Sequence, residues 1–108
     1  MKLADLVVYF LKGGTSEEFC RFHSLDNAED DIAIYMEQPI NIASALAFFN
    51  TAATGGELEY QLGGVTYKYL VEFEYVPAFV GEISENDRKA ISGESIAKRI
   101  FEYAVNDA

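Results

Sequence analysis

The chain has one cysteine, one histidine, two prolines and no tryptophan in 108 residues, and its 8 Lys and Arg are outnumbered by 18 Asp and Glu. Each scarcity excludes something. Cys20 alone cannot close an internal disulfide, and a single thiol cannot build a cysteine-rich zinc site. A formal net charge of −10, with a pI near 4.3, repels nucleic-acid phosphates, so DNA and RNA are not expected partners. No uncharged run is apolar enough to span a bilayer. Residues 38–56 lack charge, but Pro39, Asn41, Asn50, Thr51, Thr54 and two glycines interrupt them, so no membrane partner is expected. The opening apolar run contains Asp5 and reaches Lys12-Gly13-Gly14 without an A-x-A-like cleavage site. No export signal is therefore expected, and a cytoplasmic location is.

Half of the residues are hydrophobic and 14% are aromatic, which is too much apolar material for a disordered acidic tail. A chain of this length reads as a single domain over residues 1–108, large enough for one core without staples. Leu3, Leu6, Val7, Phe10 and Leu11 recur at helical spacing, and Gly13-Gly14 supplies a stop. Thr15 with Glu18 fits a capping box opening a second helix, with Phe19 and Phe22 facing inward. "DIAIYMEQ" alternates weakly before Pro39 and reads as a strand at 31–37. "NIASALAFFNTA" is uncharged and apolar all round, the pattern of a buried central helix capped by Asn41 and closed by Gly55-Gly56. "VPAFVGEI" reads as a loop or bent edge strand. After a turn or short helix from Ser84, Ser92 or Ser95 opens a last helix with Ile96, Ile100, Phe101 and Ala104 inward. The expected class is α+β: a small antiparallel sheet, made of a hairpin 57–62/65–75 and a strand near 31–37, packed against N-terminal, central and C-terminal helices.

The hairpin can be specified further. A two-residue Gly63-Gly64 turn suits the primed turns, which need positive φ. It pairs Leu62 with Val65, Tyr60 with Tyr67 and Leu58 with Tyr69 on one face. The other face pairs Gln61 with Thr66, Glu59 with Lys68 and Glu57 with Leu70. Strict alternation puts Tyr60, Tyr67, Tyr69, Val71, Phe73 and Tyr75 on a core face packed by helices. It leaves Glu72 and Glu74 without a partner in the hairpin.

The acidity is clustered. Residues 25–37 hold Asp26, Glu29, Asp30, Asp31 and Glu37 with no base, and residues 57–75 hold Glu57, Glu59, Glu72 and Glu74 against Lys68 alone. These two segments carry −5 and −3 of the total −10. Charge added only for solubility would be spread, so the clustering points to a surface that meets something positive. The candidate partner-binding residues are Asp26, Glu29, Asp30, Asp31, Glu57, Glu72 and Glu74.

Motifs for chemistry are lacking. Cys20 and His23 sit three apart, a spacing compatible with a nucleophile pair, but two side chains do not make a site and a half-buried thiol beside a surface histidine explains them better. Asp26 to Glu37 has the span of an EF-hand loop, yet Ala28 and Asp31 occupy positions three and six, where an oxygen ligand and a glycine are needed. The Gly-Gly pairs fit no phosphate-binding pattern. No catalytic centre, cofactor or metal is expected, and the chain is expected not to be an enzyme.

The opening "DLVVYFLKGGTSEEFCRFH" and the closing "ISGESIAKRIFEYA" resemble the first and last helices of small acidic bacterial immunity proteins of colicin-like and contact-dependent toxin systems. Together they span about 33 of the 108 residues. The resemblance implies a cytoplasmic inhibitor that binds a cationic toxin domain of nuclease type, 1:1, by protein–protein contact. Two other readings stay open: a phage-type nucleic-acid mimic that inhibits a defence effector, and a small ligand-binding or enzymatic domain without a recognisable motif.

Overall fold

A computed structural model describes residues 1–23, 25, 32–83, 87 and 91–106. The elements run α1 (Leu3–Leu11), α2 (Ser16–Phe22), β1 (Ile32–Glu37), β2 (Leu46–Asn50), α3 (Thr51–Thr54), β3 (Glu59–Leu62), β4 (Val65–Glu72), α4 (Tyr75–Glu82) and α5 (Gly93–Asn106). The strands form one antiparallel sheet in the order β2-β1-β4-β3. The α+β class expected from the sequence is therefore the observed one.

Local chemistry accounts for most boundaries. Asp5 accepts the Lys2 N–H at 2.9 Å and closes the start of α1, satisfying one of the amides a helix leaves without a partner. The Thr15 hydroxyl accepts the Glu18 N–H at 3.1 Å, so the cap read from the sequence does open α2. Ser92 does the same for α5, accepting the Ser95 N–H at 3.1 Å. The hairpin turn is the predicted one, with φ of 61° at Gly63 and 81° at Gly64. Its register is also as read, from Leu62↔Val65 to Glu59↔Lys68.

Three expectations are corrected. The central helix over "NIASALAFFNTA" is absent: Leu46–Asn50 is strand β2, and only the single turn Thr51–Thr54 is helical. All five residues of β2 are partly buried, because an edge strand covered on both faces carries no charge on either, and that pattern imitates a buried helix. Asn41 caps a turn instead, its side chain accepting the Ala43 N–H at 2.8 Å. "VPAFVGE" lies in helix α4, where Pro77 is third in the first turn and its missing N–H has no intrahelical partner to lose. Phe22 is 86% exposed rather than inward. The turn or helix predicted from Ser84 lies outside the described residues.

The sheet divides the interior in two. On one side Ile32, Ile34 and Met36 of β1 join Leu70 and Val71 of β4 against α1, α2, α4 and α5, through Leu3, Leu6, Phe10, Phe19, Val76, Ile96 and Ile100. On the other side Tyr35 packs against Phe49, Tyr60 and Tyr69, with ring centroids 5.4, 6.5 and 5.7 Å away. The Phe49 and Tyr60 rings meet at 5.0 Å although β2 and β3 are opposite edges. Three strand spacings would separate flat edges by about 14 Å, so the sheet is curled around Tyr35. The connection from β2 to β3 crosses this concave side, and the Glu57 carbonyl accepts the Tyr35 hydroxyl at 2.6 Å.

The expected core face is thereby reversed. Tyr60, Tyr67 and Tyr69 do share a face, but it is the one turned away from the helices. A register shift between Ile34 and Tyr35 gives the reason: Tyr35 pairs with Tyr69, yet Ile34 pairs with Val71. The extra residue in β4 flips the parity of all that follows. Val71 and Phe73 therefore enter the helix-side core, and Glu72 pairs with Ala33 on the concave side.

Candidate functional site

Beyond the bulge, β4 is longer than its partner. Pairing with β3 runs from Val65 to Lys68, and one further bond, Tyr69 N–H to the Leu58 carbonyl at 2.8 Å, ends it. At Glu57 the chain turns across the concave side to meet Tyr35. Among the described residues Leu70–Glu72 therefore has β1 on one side and no strand on the other.

A groove of about 790 Å³ occupies that open side. One wall is the consecutive run Lys68–Glu72, and the opposite wall is Tyr75 and Ala78 of α4 with Tyr103 and Ala104 of α5. Lys68, Tyr69 and Leu70 alternate between faces, the bulge keeps Val71 on the face of Leu70, and Glu72 returns to that of Tyr69, so a groove that touches all five follows the strand's edge. Leu58 and Tyr103, which line it, are 67% and 50% exposed. The Tyr75 and Tyr103 rings stack 5.3 Å apart and nearly parallel, at 10°, holding that wall flat.

Glu72 and Glu74 stand in the same lining. Glu72 accepts the Tyr69 hydroxyl at 3.3 Å, and Glu74 accepts the Ser16 hydroxyl at 3.3 Å. Both carboxylates are exposed and neither is in an ion pair among the described residues. The Tyr69 phenol is pushed up to about 12, first by burial and then by the Glu72 charge and its hydrogen bond. It stays a neutral donor to Glu72 at physiological pH. Cys20 is buried, and burial followed by the charge of Glu74 pushes its thiol up. A thiol held protonated in this way is a poor nucleophile. His23 is exposed and stacks on Phe19 at 4.2 Å, which uses the ring as packing.

The groove thus brings Glu72 and Glu74 together. Glu57 is exposed and precedes Leu58 in the chain, but its side chain is not part of the lining. Asp26, Glu29, Asp30 and Asp31 lie outside the described residues. Glu59, expected to pair with Lys68, is its cross-strand neighbour, but the two charged ends form no ion pair. The Gln38 amide donates to Glu59 instead, at 3.5 Å.

Leu58, Tyr75, Ala78 and Tyr103 were not legible as site residues. Leu58 and Tyr75 belong to the predicted core alternation, and Ala78 to a segment that reads as a loop or bent edge strand. Tyr103, three residues after Ile100, offered one signal, a large ring at the margin of the buried stripe of α5.

Among the described residues no group of three or more His, Cys, Asp or Glu side chains is placed to hold a metal ion. No helix among them is long and apolar enough to cross a membrane. A second apolar hollow of about 670 Å³ lies between Ile40–Ala43 and α5, but its charges are balanced, Lys2 and Lys98 against Glu94 and Glu102. Comparison with known proteins found no matching family model, no matching curated protein and no matching solved structure.

Proposed function

We propose that this protein is an acidic inhibitor that acts by direct 1:1 contact, an immunity protein that neutralises a cationic bacterial toxin domain of nuclease type. The observation that carries the reading is the composition of one groove: two carboxylates, outside any ion pair among the described residues, against the single cation Lys68, beside exposed Leu58 and Tyr103, on a chain of net charge −10. An interface with apolar anchors at its centre and charge at its rim has the anatomy of a protein-binding surface. A nuclease presents a cationic surface because it holds phosphates, and carboxylates can occupy the same positions. The long-range field speeds the encounter, to about 10⁸ M⁻¹s⁻¹ or more at low salt. On this reading neutralisation takes place in the cytoplasm and involves no catalysis by the inhibitor.

The test is to look beside its gene for a reading frame that ends in a basic domain and to co-express the two. Growth should be rescued, and the two chains should purify as a 1:1 complex. Unrelieved toxicity with the inhibitor present and folded would remove the reading.

A further inference from the structure

The groove also specifies the shape of what it receives. The β2 edge of the sheet is partly closed, since Leu46 donates its N–H to the Met1 carbonyl at 2.8 Å. The side of β4 facing the groove is different. Among the described residues its backbone at Leu70–Glu72 has no strand neighbour on that side, and since Phe73 donates its N–H to the Ile32 carbonyl of β1, the backbone of Glu72 faces outward, a template for another strand.

The side chains flanking this edge differ by face. Towards the helices the edge meets Leu70, Tyr75, Ala78 and Tyr103, all apolar or aromatic. Towards the concave side the bulge has placed Glu72, with Glu57 close to the point where β3 departs. A strand laid along the edge alternates its side chains between these two surroundings. One set would enter the apolar wall, and the other would stand opposite the Glu72 carboxylate.

Resting on the reading of the protein as a binder of a cationic partner, we infer that the Leu70–Glu72 edge receives an extended segment of that partner by strand addition. The segment alternates apolar residues with Lys or Arg. Backbone bonds to the edge fix its direction and register, and the alternation selects it. A second copy of this chain is disfavoured as the occupant, because it would bring Glu72 and Glu74 against their own kind.

The probe is a labelled hexapeptide alternating Lys and Val, with two controls: the same peptide N-methylated on one edge, and an alternating Glu and Val peptide. The Lys peptide should bind the intact protein at millimolar concentration or below and slow amide exchange at Glu72, whose N–H faces the open edge. N-methylation removes edge bonds at constant charge and should weaken binding roughly tenfold. Glu72→Lys, at an exposed position whose fold is checked by circular dichroism, should weaken it by about the same factor, and the Glu peptide should not bind.

Equal binding of the methylated and parent peptides would overturn strand addition while leaving an electrostatic inhibitor intact. Unchanged exchange at Glu72 under saturating peptide would overturn it as well. So would a dimer of the free 12.0 kDa chain that protects the same amide, since the edge would then belong to a second copy. Peptide pairing together with failed rescue of growth would retain the edge and remove the inhibitor reading.

Discussion

At the scale of single residues, Tyr35 has the most to lose. It is fully buried, touches Phe49, Tyr60 and Tyr69, and donates to the Glu57 carbonyl at 2.6 Å. Tyr35→Phe keeps the ring and strands the carbonyl, so unfolding in denaturant should show a loss of about 1–3 kcal/mol. Tyr35→Ala also leaves a cavity and should cost about 3–5 kcal/mol. Tyr69 sets a pH limit. Its folded phenol ionises near 12 against an ordinary value of 10, so folding favours the protonated form. That stability is fully present below pH 10 and is lost as the pH rises towards 12, because the unfolded chain ionises first. Absorbance titration of the phenolates should show the late ionisation of Tyr69, and Glu72→Gln should bring it down. Cys20 makes a third case. With its thiol buried and its ionisation raised, a disulfide reagent at pH 8 should react slowly with the native protein and rapidly once denaturant is added.

At the scale of elements, close approach matters most where α5 begins. A Cβ added at Gly93 would lie 2.5 Å from the Val8 Cγ2 of α1 and 3.8 Å from the Leu11 Cδ1. Gly93→Ala should force the two helices apart and lower stability by about 1–3 kcal/mol, measured as a shift of the denaturation midpoint. Elements governed by short-range chemistry were legible in the sequence. Gly63-Gly64 dictates the hairpin turn and hence its register, Thr15 and Ser92 cap their helices, and Ile96 and Ile100 point α5 inward as periodicity requires. What escaped was set by distant partners. The pairing of β1 with β4 introduces the bulge that reverses Val71, Glu72 and Phe73, and no residue near the bulge announces it. β2 escaped because half-burial on two faces erases the alternation by which strands are known. The site suffered more than the fold. Glu72 and Glu74 stood out as unpaired charge, but the groove beside them needs α4 and α5 to return against β4, which only the tertiary structure supplies.

At the scale of the whole molecule, the decisive quantity is charge. With 18 acids against 8 bases, binding to a cationic domain should slow steeply as salt rises, because screening shortens the Debye length to about 8 Å at physiological strength. Stopped-flow association between 20 and 500 mM salt (roughly the range over which that length contracts severalfold) should show the on-rate falling by at least tenfold and dissociation changing far less. An on-rate insensitive to salt would mean that charge does not guide the encounter.

The curl of the sheet around Tyr35 also gives the protein an internal optical probe. With no tryptophan in the chain, its intrinsic emission comes from seven tyrosines, and Tyr35, Tyr60, Tyr67 and Tyr69 line the concave side. Near-ultraviolet dichroism and tyrosine emission thus report chiefly on one layer, while far-ultraviolet dichroism reports chiefly on the helices of the other. β1, whose residues Ile32–Met36 are buried on both faces, belongs to the two layers at once. Heating should therefore give superimposable melting curves from the two signals, the mark of a single cooperative transition. Cutting the Tyr35 anchor should separate them, letting the aromatic side loosen before the helical one.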